Sequence, residues 1–181
     1  GGGTLRIQNG EVVLLIDSTN ARRKAAATLH TLTNLKETPS PEKGELTFPG
    51  EYEAEGVDIR GLSCGSNGDE ITTCYFIHWD GIRVLVVGDH EALPKEKVLE
   101  EISELNPSVL LLPMQSQEQA DWAAKLGKQL DASVIIPSSY SSLKDIAHAF
   151  SDVPSEVDRY TFKKGDLDTL VQQLIVISPT S

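Results

Sequence analysis

Short apolar runs separated by turn residues dominate the chain. Residues 5–7 and 12–16 are two such runs, and Asn9-Gly10 lies between them. Both turn residues tolerate positive φ, so the pattern predicts a β-hairpin. Residues 56–62 alternate through Val57, Ile59 and Leu62 and predict a strand. Residues 71–79 and 82–87 bracket Asp80-Gly81, a second hairpin pattern with the same turn chemistry. Residues 109–112, 134–136 and 174–177 are wholly apolar, which suits strands buried on both faces.

Helical spacing lies between the later strands. Pro94 suits a helix start, because its missing N–H is not needed there. Val98, Leu99, Ile102 and Leu105 then recur on one face, and Asn106-Pro107 ends the run. Residues 117–130 predict a second helix with Ala120, Ala123, Leu126 and Leu130 inward, although Gly127 is a poor helix former. Ser141 or Ser142 can cap a third, where Leu143, Ile146, Ala147 and Phe150 fall at i, i+3, i+4 and i+7. Hairpins first and alternating α and β afterwards predict an α/β chain of sheet layers with helices packed outside. Residues 1–181 read as a single domain, since domains usually hold about 100–200 residues. The Pro-rich stretch 38–43 reads as a loop rather than a linker, and the three glycines at 1–3 as a frayed or non-native start.

Charge narrows the partners. The chain carries 27 acidic and 16 Lys+Arg residues, a net charge of −11. That balance argues against nucleic acid and anionic membranes, which attract basic patches. The longest unbroken apolar run is 12–16, too short to span a bilayer. No charged start precedes an apolar stretch, so no secretory leader is expected and the location expected is cytoplasmic. Cys64 and Cys74, on or beside neighbouring strands, are expected to be reduced thiols by default.

Three local patterns carry candidate chemistry. Gly61-Leu62-Ser63-Cys64-Gly65 matches G-x-S-x-G, but a strand rather than a helix is expected after it, so a nucleophilic Ser63 lacks its usual turn. Gly88-Asp89-His90 follows an apolar strand directly. An Asp beside a His there can bind a metal or hold a proton, or the Asp can simply cap a turn. His30, His78 and His148 show no ligand spacing.

The run from Phe48 to Gly61, FPGEYEAEGVDIRG, resembles the GPGEYEVxGVxIRGI block of metallo-β-lactamase-fold hydrolases of the ascorbate-6-phosphate-lactonase-like branch. The similarity continues through Trp79-Asp80-Gly81-Ile82-Arg83-Val84 to Gly88-Asp89, through residues 109–113, and through Val134-Ile135-Ile136-Pro137-Ser138-Ser139-Tyr140. It covers nearly the whole chain. The resemblance implies an αββα sandwich: two mixed β-sheets with helices outside and a binuclear metal site at one end. In that family an HxHxDH loop, two later His and a bridging Asp hold zinc or manganese and generate a metal-bound hydroxide.

Here the implied ligands are largely absent. The stretch that should carry HxHxDH reads Leu32-Thr33-Asn34-Leu35-Lys36-Glu37-Thr38, with His30 just upstream. Ser66 and Ser139 stand where the family has its later His, and only the bridging Asp89 is in place. A lone Asp with one neighbouring His falls short of the three protein ligands a catalytic zinc usually needs. The resemblance therefore implies convergence of Ser66, Asp89, His90, Ser139 and Tyr140 on a polar pocket. It implies a catalytically degenerate module that binds a protein or small-molecule ligand, with no cofactor. The alternative is a zinc- or manganese-dependent hydrolase of phosphodiesters or lactones, with a reduced site at Asp89 and His90 aided by a rearranged His30. Members of this branch often self-associate, so a homo-oligomer is open. Without metal cations beside Asp89, an anionic substrate is disfavoured.

Overall fold

The computed structural model describes residues 4–20, 23–37, 42–90, 93–169 and 171–178. The glycines at 1–3 and most of the 38–43 loop lie outside the described residues.

The first hairpin joins β1 (Leu5–Asn9) to β2 (Val12–Ile16) with Asn9 opposite Val12. The turn is therefore Gly10-Glu11, one residue later than the Asn-Gly pattern predicts, and Gly10 alone takes a positive φ of 59°. Glycine at the first of two turn positions satisfies a hairpin turn by itself, which leaves Asn9 in the strand. Next, β3 (Ala27–Leu29) joins β2 in parallel, and β4 (Leu32–Asn34) leaves this layer. With β5 (Glu45–Leu46), the smaller sheet runs β1-β2-β3-β5.

The larger sheet begins with β6 (Gly50–Ala54), β7 (Val57–Asn67), β8 (Glu70–Trp79) and β9 (Ile82–Val86), all antiparallel. Of the three two-residue turns that join them, Glu55-Gly56 and Asp80-Gly81 have two consecutive positive-φ residues, the geometry that matches strand twist, and Gly68-Asp69 has one, at Gly68. The rest is parallel: β10 (Val109–Met114), β11 (Val134–Tyr140), β12 (Ser155–Val157) and β13 (Gln173–Ile177). The strand order is β12-β13-β11-β10-β9-β8-β7-β6, with β4 paired to β8. Both sheets are mixed, as expected.

Helices α1 (Glu96–Leu105), α2 (Gln117–Gln129) and α3 (Leu143–Phe150) lie between the parallel strands in sequence, and α4 (Lys164–Leu167) is one turn. Asn106 ends α1 in the left-handed region at φ 49°. Ser116 caps α2, and Ser142, not Ser141, caps α3 by accepting from Asp145 N–H.

The wholly apolar strands separate two cores. Leu85, Leu110, Leu112 and Ile135 face Ile102, Ala123, Leu126 and Ile146 of the helices. Val84, Val86, Leu111 and Ile136 face Leu14, Ile16 and Leu29 of the smaller sheet. Period-two alternation between two buried faces is why these strands show no polar positions. Gly127 has a packing reason: a Cβ there would fall 2.2 Å from Ile135 Cδ1.

The expectation of two reduced thiols is corrected. Cys64 and Cys74 form a disulfide across β7 and β8, with Cα atoms 6.1 Å apart. The register irregularity between Ser63 and Gly65 brings Cys64 towards Cys74, which pairs with Leu62.

Candidate functional site

A polar cluster forms where β2, β9 and β11 end and β3 hands over to β4. Asp17 follows β2 in the left-handed region at φ 51°. Its N–H donates to Leu29 O at 2.9 Å, tying it to the end of β3. Its carboxylate accepts the Thr31 N–H at 2.8 Å and the Thr31 hydroxyl at 2.7 Å. Thr31 also accepts the Thr73 N–H at its carbonyl, 2.9 Å away, so the cluster is braced by β8.

Gly88 follows β9 and lets the next residues approach. A Cβ on it would fall 2.0 Å from Thr31 Oγ1 and 2.8 Å from His90 Nε2, so no other residue fits without displacement. His90 Nε2 lies 3.2 Å from Thr31 Oγ1. The threonine hydroxyl proton points to Asp17, so its oxygen accepts from Nε2–H, which sets the imidazole tautomer. The result is a chain from His90 through Thr31 to Asp17. Burial lowers the His90 pKa below its ordinary 6.5, against the opposing pull of Asp17, the Thr31 backbone, Asp89 and Glu70. Burial also pushes the Tyr75 phenol far up, and its hydroxyl donates to the carbonyls of His30 and Leu46.

Asp89 is exposed at the rim and accepts from Gln119 Nε2 at 3.3 Å. The same amide reaches His90 O, and Gln119 Oε1 accepts the Gln115 N–H at 2.8 Å. Ser138 donates to Val87 O at 2.8 Å. A cavity of about 60 Å³ opens among these groups, lined by Asp17, Gly88, Asp89, Ser138 and Ser139 with Leu5, Ile16 and Val86 as its apolar wall. Ser139 is only 8% exposed, and its hydroxyl has no hydrogen-bond partner.

Of the five residues expected to converge, three gather here: Asp89 and Ser139 line the cavity, and His90 joins through Thr31. Ser66 does not line it. It is exposed near the far end of β7, opposite Ile71. Tyr140 packs against the helix-side core, because alternation along β11 turns it away from Ser139. His30 is engaged by the Glu45 carboxylate, so it is not available to aid Asp89. His78 and His148 are exposed. Ser63 is exposed within β7 opposite Thr73, with a strand and no helix after it, so the G-x-S-x-G match lacks its nucleophile turn.

Asp17 and Thr31 escape the sequence reading. For Asp17 the signal existed: it directly follows a buried apolar strand, as Gly88-Asp89 does. Thr31 had none, since its partners lie 14 and 59 positions away.

The donor set does not fit the zinc or manganese pair that the fold implies. Among the described residues no three His, Cys, Asp or Glu side chains are grouped to hold an ion. Both Asp17 oxygens accept from Thr31, and His90 Nε2 is a donor. Apart from the Asp89 carboxylate, the remaining groups are neutral hydroxyls, while a catalytic zinc needs three anionic or imidazole ligands.

A wider groove of about 280 Å³ lies at the opposite, N-terminal ends of the parallel strands, lined by Arg83, Ser108, Asp131, Ser133, Lys164 and Asp168 among others. Parallel sheets place ligands at the carboxyl ends of strands, where the smaller cavity lies.

No protein-family model matches the chain. No curated protein matches it either. Solved structures do. The chain is similar to a Thermotoga maritima protein assigned as a Zn-dependent hydrolase of the metallo-β-lactamase superfamily, with TM-score 0.72 and 19% identity over 96% of this chain and 93% of that one. It is similar to the metallo-β-lactamase fold protein YhfI from Bacillus subtilis, with TM-score 0.61 and 12% identity over 83% and 87% of the two chains. It is also similar to the short form of human tRNase Z, with TM-score 0.50 and 8% identity over 78% and 86%. The fold is that of the metallo-β-lactamase superfamily.

Proposed function

We propose that this chain is a catalytically degenerate member of the metallo-β-lactamase superfamily that works as a binding or assembly module, folded as a single domain. The observation that carries the reading is the His90–Thr31–Asp17 chain of hydrogen bonds. In it, Asp17 and His90 are both engaged by Thr31. The GEYE and IIPxxY sequence blocks support placing the chain in the ascorbate-6-phosphate-lactonase-like branch. Its partner is a protein or small-molecule ligand rather than nucleic acid, given the net charge of −11. The Cys64–Cys74 bridge is of a kind that persists in oxidising surroundings, which counts against a cytoplasmic location.

The second reading is a divalent-metal hydrolase with a reduced site at Asp89 and His90. The neighbours assigned as a Zn-dependent hydrolase and as tRNase Z favour it. It requires His90 to turn its Nδ1 lone pair, or Nε2 released from Thr31, towards an ion beside Asp89. Elemental analysis and hydrolase assays separate the two. The binding module predicts no stoichiometric zinc or manganese and no phosphodiester or lactone turnover. Turnover that EDTA abolishes would establish the hydrolase and end the first reading.

A further inference from the structure

We propose that the cavity at the strand ends receives the head of a small primary alkylamine in its ammonium form. This rests on the binding-module reading above and names its ligand chemistry.

Three observations converge. First, Ser139 is more than nine-tenths buried, lines the cavity and leaves its hydroxyl unpaired. A buried hydroxyl without a partner costs free energy until something bonds to it. Second, the charge at the cavity is one-sided. Asp17 and Asp89 line it, and among the described residues no Lys or Arg does. Third, the opposite wall is apolar, formed by Leu5, Ile16 and Val86.

An alkylammonium matches each wall. Its N–H bonds suit the Asp89 carboxylate and the orphan hydroxyl, Asp17 adds negative charge, and its first methylenes suit the apolar side. A divalent metal would seek ligands that this cluster lacks. Tetramethylammonium has the charge but no N–H donor, and n-butanol has the shape but no charge.

The test is nitrogen-15 NMR of the full chain titrated with n-butylammonium chloride at constant ionic strength. The expected result is a saturable shift of the Gly88, Asp89 and Ser139 amides, with none from tetramethylammonium or n-butanol. Asp89→Asn should weaken binding about ten-fold, as loss of a charged hydrogen bond does. Ser139→Ala should weaken it a few-fold, and because that change only removes an unpaired hydroxyl the variant stays folded. No saturable shift, an equal shift with tetramethylammonium, or unchanged binding by both variants would overturn the inference. If that failure occurs in protein shown to be metal-free, the binding-module reading stands. Stoichiometric zinc in the purified chain would overturn both.

Discussion

The middle of the sandwich and its strand-end cluster are built on opposite terms. In the middle, Leu14, Leu29, Ile77 and Leu110 are fully buried and pack against apolar neighbours on both faces. At the end, buried hydroxyls go unpaired. Among the described residues, the side-chain atoms buried without a partner are those of Thr47, Thr73 and Ser139. All three belong to the same neighbourhood: Thr73 donates its N–H to Thr31, Thr47 accepts from Thr33, and Ser139 lines the cavity. Each such group costs about 1–3 kcal/mol. A fold that tolerates these costs at one end, and avoids them in its middle, marks that end as the place where function competes with stability.

Substitutions can break that comparison, and the largest effect belongs to the middle. Leu110→Ala should destabilise by about 2–5 kcal/mol in urea unfolding, as cavities in dry cores do. Gly88→Ala comes next. The new methyl would meet the branched Thr31 side chain, which has no flexible end to move aside. Chemical denaturation should show a loss of about 1–3 kcal/mol. Gly127→Ala is its control, because the methyl would meet only the tip of Ile135 and alanine regains helix propensity. It should cost less than Gly88→Ala, and the reverse order would contradict the close packing assigned to Gly88.

Ser139→Ala sharpens the comparison further. If its hydroxyl is an orphan, removing it should leave stability unchanged or raise it by about 1 kcal/mol. A loss of that size would mean that the hydroxyl is bonded in the free protein. Last is a pH effect. The folded His90 pKa lies below the unfolded value of 6.5, so the unfolded chain binds more protons in the interval between them. The His90 contribution is neutral above pH 6.5 and increasingly destabilising as pH falls through that window. His90→Gln should flatten this part of the stability–pH curve, and an unchanged curve would show that His90 is not the group responsible.

The legible parts of the fold were local. Two-faced apolar runs, the Asp80-Gly81 turn and the Ser142 cap each depend on neighbours in sequence, so pattern alone found them. The short strands β3, β4 and β5 were not legible, because two or three residues hold no period and their pairing is decided by distant partners. The same reason governs the site. Asp89 and Ser139 were visible through their place in the resemblance, while Thr31 gains its role only when Asp17 and His90 are folded against it. Ser66, expected there from its place in the resemblance, is exposed on β7 opposite Ile71 and does not line the cavity. The cysteine bridge depends on the pairing of β7 with β8, which compartment alone does not reveal.

The central claim is that the strand-end cluster binds no zinc or manganese ion. Calorimetric titration of the purified, EDTA-treated chain with zinc, repeated with manganese, tests it most directly. The account predicts no saturable heat at one or two ions per chain for either metal. A stoichiometric isotherm that Asp89→Asn abolishes would contradict it.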